Sequence, residues 1–279
     1  MKDQFKNVVW EHLGRYRQHA LKISAKGTYR GGIYDHILPQ EHYRANLLEP
    51  VRDRFWEYAS NEMVGLRPLT GHLHKYFHHL NSSQAMCFNL FYPFLVEASG
   101  TNQLVQILLG QMDEVAAEAR FEHVICAEEG TNFDFFIRCA SGRKLLFECK
   151  FTETEFGQAK ADQRHRDKLE QIYKPMLRGK AKLEALQEST FFKHYQLLRN
   201  AAHVNPKNRD HLFIIFPRGN PGVESPLVKK AGKIYELLED AMHSSVSILL
   251  LEDIISRIEE RHGLNGHWSL FREKYLPPV

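Results

Sequence analysis

Apolar positions recur at helical spacing in some stretches of this chain and at strand spacing in others, and those changes divide it. From Ser82-Ser83, a pair suited to capping a helix, an apolar run passes through Ala85, Met86, Phe88, Leu90 and Phe91 to Glu97. It predicts a helix that Pro93 kinks or restarts. A second helix is expected over 102–109, closed by Gly110. Three strands follow at 120–126, 133–139 and 144–152, each rich in β-branched or aromatic residues and separated by glycine-containing turns. After Gly157 the pattern turns helical and charged over 160–182, then helical again over 191–203. A fourth strand, 211–216, is stopped by Pro217, and helices return at 228–242 and 251–262.

The first eighty residues are rich in aromatics, Arg and His, with turn signals at Gly31-Gly32, Pro39 and Pro50 that break them into short helices. No internal repeat or low-complexity linker interrupts the chain. The expected organisation is an N-terminal helical part, 1–80, suited to substrate recognition, and an α/β unit, 81–279, with a mixed central sheet flanked by helices.

Strand alternation brings the chemistry into view. In 144–152, Phe147, Cys149 and Phe151 point one way and Glu148 and Lys150 the other, so a carboxylate and an amine stand side by side among apolar neighbours. If Ala140-Ser141-Gly142 is a three-residue hairpin loop with Gly142 in the left-handed position, Cys139 pairs with Arg143. The residue numbers of every pair then sum to 282, as for Cys139 with Arg143, and Asp134 falls opposite Glu148 on one face. A two-residue loop would put Asp134 on the other face. Two carboxylates across a ladder repel unless a cation lies between them, and such a pair suits Mg²⁺, with Mn²⁺ able to substitute. Asp134, Glu148 and the main-chain carbonyl of Cys149 are the expected ligands. Lys150 would orient the attacking water or stabilise developing charge in phosphodiester hydrolysis.

Asp134, thirteen intervening residues and then Glu148-Cys149-Lys150 resembles the PD-(D/E)XK nuclease superfamily, in which Asp and Glu hold the metal and Lys serves the water. Phe133 stands where the family name has Pro. The order helix, strand, hairpin, helix, strand from Ser82 to Phe216 is similar to that family's restriction-endonuclease-like core. Ser82-Ser83-Gln84-Ala85 with Asn89, Phe91 and Pro93, then Gln196-Leu197-Leu198-Arg199-Asn200, and Tyr34 to Pro39, are similar to a family of bacterial restriction-endonuclease-like proteins. The resemblance implies a nuclease acting in restriction, defence or DNA repair, with DNA as partner and RNA and a homodimer left open. It also implies a further acidic residue from the helix before the sheet. Glu97 is the only Asp or Glu between Glu62 and Asp113, and Glu122 is a second, weaker choice.

Composition bounds these readings. The 279 residues are 43% hydrophobic and 25% charged with a net charge of +3, which describes a folded chain rather than a disordered one. No apolar stretch approaches a membrane span, the charged start over 1–11 lacks a leader's apolar segment, and four isolated cysteines read as core residues of a reduced, cytoplasmic protein. Charge is uneven. From Lys160 to Lys182 eight Lys and Arg face Asp162, Asp167 and Glu170, so Arg164, Arg166 and Lys168 are expected on a nucleic-acid track. Gln196 and Arg199, three apart on a helix, are expected to share a face that reaches phosphate or the metal-bound water.

Rival readings remain. Asp134, Glu148 and Lys150 could form a salt-bridge ladder on a solvated face. Asp35-His36 with Asn46 echoes a His-Asn-His nuclease motif, and His74 with His78 has the i,i+4 spacing of a zinc pair, although Leu73, Phe77 and Leu80 make the apolar stripe there. A nucleic-acid-binding or assembly protein that keeps the fold without cleaving is the alternative from another class.

Overall fold

The computed structural model describes residues 4–110, 113–220, 223–263 and 266–276; the first three residues of the charged start lie outside them. Strands β1 (Ala116–Val124), β2 (Asn132–Cys139) and β3 (Lys144–Cys149) form an antiparallel meander. β4 (His211–Phe216) joins β3 in parallel and β5 (Val246–Leu250) joins β4 in parallel. The order across the sheet is β5-β4-β3-β2-β1. Parallel neighbours need crossovers, and the helical segments between β3 and β4 and between β4 and β5 supply them. The chain is therefore a mixed α/β protein built on a five-stranded mixed sheet flanked by helices.

Several boundaries differ from those the pattern suggests. β1 starts and ends earlier, leaving Cys126 half-buried in the turn beyond it, while Cys87, Cys139 and Cys149 are buried. β3 stops at Cys149, not at 152. β5 escapes a periodicity argument because Val246–Leu250 runs without a break into an apolar-faced helix. In the N-terminal part, α1 (Gln4–His19) and α2 (Glu49–Asn61) are joined by the hairpin Gly27–Tyr29/Gly32–Tyr34. Its turn residues Arg30 and Gly31 both have positive φ, as a two-residue hairpin turn requires. Residues 73–80, read as one helix face, are turns.

The helix over α3 (Ser83–Val96) is capped by Ser82, whose Oγ accepts the Ala85 N–H at 3.2 Å. Pro93 sits inside it and donates nothing, so the Asn89 carbonyl one turn earlier loses its helical partner. His267 replaces that partner, donating from Nε2 at 2.9 Å from α8 (Gly266–Tyr275). The helix thus runs through its proline because a distant residue satisfies the orphaned carbonyl. The Asn89 side chain ties three segments, 46–48, α3 and α8, by accepting from Leu48 N–H and donating to the Asn46 and Ala85 carbonyls and the Tyr275 hydroxyl.

Both faces of the sheet are covered. One packs Phe135, Ile137, Phe147 and Phe213 against α3, with the Phe91 ring stacked 4.4 Å from Phe135. That core also holds Phe5, Val9 and Leu13 of α1, Phe55 of α2, and Trp268, Phe271 and Tyr275 of α8. The other face packs Leu146, Leu212 and Ile214 against Tyr173, Leu177, Leu197, Leu198 and Ala201. Among the described residues no helix is long and apolar enough to cross a membrane.

Candidate active site

The β2–β3 hairpin has the three-residue geometry. Cys139 N–H donates to the Arg143 carbonyl at 2.8 Å, Gly142 has φ +88°, and the pairs run from Arg138/Lys144 to Phe135/Phe147. One further step in that register sets Asp134 opposite Glu148, but pairing stops at Phe135/Phe147. There the Asp134 carboxylate accepts the Cys149 N–H at 2.7 Å in place of a strand partner. On the other side of β2 the flanking pairs set Glu122 opposite Asp134, and Glu122 has φ +50°, the left-handed region that side chains disfavour. Both ladders of β2 are interrupted at the residue that carries the carboxylate.

Glu148 lies on the face covered by a helix, so the solvated-ladder reading does not describe it. Its side chain is 4% exposed and that of Lys150 13%, and Oε1 is 2.7 Å from the Lys150 ammonium. Gln196 donates to Oε1 at 2.7 Å and Asn200 to Oε2 at 2.8 Å, both from α6 (Tyr195–Ala202). The i,i+4 pair on that helix face is therefore Gln196 with Asn200. Arg199 points elsewhere, its guanidinium 5.4 Å from the Tyr195 ring, which corrects the expectation that it shares the Gln196 face. Asn200 was missed as a site residue although Gln-x-x-x-Asn spacing signals it.

The start of α3 closes the site. Gln84 donates to Glu122 at 2.7 Å and to the His72 carbonyl at 3.0 Å, and accepts the His74 N–H at 2.8 Å. Ser83 donates to Glu153 at 2.6 Å and accepts the Phe151 N–H at 3.1 Å, so the segment leaving β3 is held by the same turn of helix. Asn132 also donates to Glu122. These groups surround a cavity of about 840 Å³ lined on this side by Glu122, Asp134, Lys150, Glu153 and Glu155.

Crowding of carboxylates sets the electrostatics. Burial, then the charge of Glu148 and that of Glu122, push Asp134 well above its ordinary value against the pull of Lys150 and the Cys149 N–H. Burial likewise raises Glu122, over the opposing bonds from Gln84 and Asn132, and Glu148 adds to it. Burial pulls Lys150 down, but Glu148, Glu153 and Asp134 overcome it and raise Lys150 above the usual amine range. The lysine is held charged among acids that outnumber it.

The donor set fits a hard cation. Among the described residues Asp134 has a hydrogen-bond partner on one carboxylate oxygen, the Cys149 N–H, and Cys149 borders the cavity while its thiol contacts Cys87 in the core. Among the described residues no group of three or more His, Cys, Asp or Glu side chains is gathered to hold a metal ion, so an ion here would rest on Asp134 and Glu148 with main-chain oxygen and water completing its shell.

Other expected residues lie apart. Glu97 is exposed at the far end of α3, on a separate small cavity with Arg54 and Trp268, because the cavity meets the helix at its beginning, not its end. The basic segment is helical over α5 (Gln163–Lys168), continues through a wider turn at Leu169–Tyr173 into Lys174–Leu177, and does not span 160–182. Arg164 is exposed, whereas Arg166 pairs with Glu188 at 2.7 Å and Lys168 donates to the Glu129 carbonyl at 2.6 Å. Two of the three expected phosphate contacts are thus already engaged. The Asn46 amide is consumed by the Phe77 and His79 carbonyls and by Lys274, which ends the His-Asn-His reading. His74 lines the cavity while His78 is buried, so they form no helical pair.

Searches among curated proteins and solved structures found no match. A family model does match, over residues 11–276, and its description is REase-ARP, restriction endonuclease associating with ARP. That span takes in the carboxylates, the lysine, the Gln196–Asn200 pair and nearly all of the N-terminal part, and the chain belongs to this restriction-endonuclease-like family.

Proposed function

We propose that the chain is a metal-dependent nuclease of the PD-(D/E)XK type that hydrolyses phosphodiester bonds of DNA. The carrying observation is the buried Glu148–Lys150 pair at 2.7 Å beside Asp134 at an interrupted strand edge. Charges this shielded cost several kcal/mol each, on the order of what a fold keeps only when they are used. Asp134, Glu148 and the Cys149 carbonyl would hold Mg²⁺ or Mn²⁺, with Glu122 in place of Glu97 as the additional acid. When bound, the ion supplies Lewis acidity toward the phosphate and a more acidic water.

The chain's own groups do the rest. Lys150 keeps its proton and presents a fixed positive charge toward the cavity, where negative charge develops on the attacked phosphate. Gln196 and Asn200 are positioning residues: they fix both Glu148 oxygens, and Gln196 also accepts the Gly157 N–H at 2.9 Å, tying the carboxylate to the loop after β3. The N-terminal residues form the opposite wall and would meet the substrate. A non-cleaving binding protein is the competing reading, and the excess of carboxylates over cations argues against it, since unaided they repel phosphate.

Supercoiled plasmid and single-stranded DNA incubated with Mg²⁺ or Mn²⁺ test the proposal. Wild type should cleave, Lys150→Ala should be slower by about two to three orders of magnitude, and its metal affinity by calorimetry should be nearly intact. Equal single-turnover rates for the two proteins would end it.

A further inference from the structure

The wall across the cavity from the carboxylates is aromatic. Trp10 of α1 stacks on His36 with ring centroids 4.2 Å apart and planes within 8°. Tyr76 stacks on His79 at 4.9 Å, and Tyr29 meets both edge-on. All five line the cavity. Burial drives the ordinary values of His36 and His79 down to about 4, so both imidazoles are neutral faces near pH 7.

Cations sit on these rings, Lys6 in the cavity itself and Arg30 and Lys75 in the adjoining cavity that shares Tyr29 and Tyr76. Lys6 lies 4.5 Å from the Trp10 ring, Arg30 5.2 Å from Tyr29 and Lys75 4.6 Å from Tyr76. None of the three has an ion-pair partner among the described residues, unlike Arg166 on the segment first expected to bind nucleic acid. Rings with unpaired cations beside them are what a single strand needs, rings for base faces and cations for the phosphates between them. A cavity of about 840 Å³ has the capacity of a small-ligand pocket, room inside it for one or two nucleotides. The indole N–H of Trp10 and Nε2 of His79 are also shielded from solvent without a protein hydrogen-bond partner.

We infer that this wall stacks unpaired bases next to the scissile phosphate, so that the substrate is DNA with an unpaired nucleotide at the site. The inference rests on the nuclease reading for the word scissile, but the stacking itself is separable. The unpaired nucleotide can come from a single strand or from a base turned out of a duplex, and the wall's chemistry is the same for both.

Tryptophan fluorescence reads the contact directly, because Trp56 and Trp268 are 5% and 3% exposed in the core and only Trp10 faces the cavity. Lys150→Ala protein in Mg²⁺ is titrated with an eight-residue oligothymidylate, a matched duplex, and a duplex with one unpaired base. Oligothymidylate should quench the emission, and the matched duplex should not. Quenching by the bulged duplex as well assigns an extruded base, and quenching by the single strand alone assigns a single-stranded segment. Tyr76→Ala, at the exposed side of the wall, should weaken oligothymidylate binding by about five- to a hundredfold, as loss of one stacked base does. Trp10→Phe should abolish the quench, because neither Trp56 nor Trp268 faces the cavity. Equal affinity for single strand and matched duplex, or unchanged affinity in Tyr76→Ala, overturns the inference. Cleavage that depends on Lys150 without quenching would leave the nuclease reading standing alone. Quenching with no Lys150-dependent cleavage would leave the stacking wall standing alone.

Discussion

Replacing His267 with Gln should flatten the acid sensitivity of the fold. His267 is 7% exposed, and burial lowers its ordinary value of 6.5 to about 4, although its bond to the Asn89 carbonyl pulls the other way. The folded protein therefore refuses a proton that the unfolded chain accepts. The stabilisation is complete above pH 6.5 and is withdrawn as pH falls toward 4. At about 1.4 kcal/mol per pH unit of separation, the whole interval is worth up to about 3 kcal/mol. Gln keeps a donor for Asn89 and titrates nowhere in this range, so His267→Gln should cost at most about 1–3 kcal/mol at pH 7.5 through imperfect packing and hydrogen bonding. Urea unfolding of both proteins at pH 7.5, 5.5 and 4.5 provides the assay. His36, His79 and His211, all lowered to about 4, act in both proteins, so the difference between them isolates position 267. The gap in stability should shrink by up to about 3 kcal/mol between pH 7.5 and 4.5. Parallel pH profiles would refute the reasoning, and with it the idea that the proline-bearing helix α3 is braced by a neutral imidazole.

Asn200→Ala should lower kcat more than it raises KM, because Glu148 loses one of its two side-chain amide donors; a change confined to KM would contradict a positioning role. Asp134→Asn should raise the melting temperature in EDTA by a few degrees, about 1 kcal/mol of relieved repulsion, while abolishing any gain on adding Mg²⁺; destabilisation in EDTA would show that the crowding is not costly. Neutralising Lys6, Arg30 and Lys75 together should reduce the salt slope of single-stranded oligonucleotide binding by up to roughly two units, against less than about one for Arg164→Ala, and equal slopes would refute this. Glu97→Ala should leave cleavage unchanged, and a large loss would return it to the site.

The hairpin carrying Asp134, Glu148 and Lys150 was legible because a strand's two-residue period and one glycine at a loop position leave little freedom in register. The interruption at Asp134 was not. It depends on Glu122 adopting a left-handed conformation, which no local preference of a glutamate announces. Helix ends were read less well than helix existence, and that displaced the site from Gln84 to Glu97 on one and the same helix. The cations of 163–168 misled for a similar reason: charge counts on a segment do not record partners such as Glu188 that fold back from elsewhere. The aromatic wall was invisible in the sequence because its rings come from α1, a hairpin and a turn that meet only in three dimensions.

One helix carries both Trp10 toward the cavity and Phe5, Val9 and Leu13 into the core beneath the sheet. The cavity wall and the support of the sheet are therefore opposite sides of the same sixteen residues. Cutting them away would strip apolar surface from the sheet as well as rings from the wall, so a truncated protein should fail to fold rather than cleave indiscriminately.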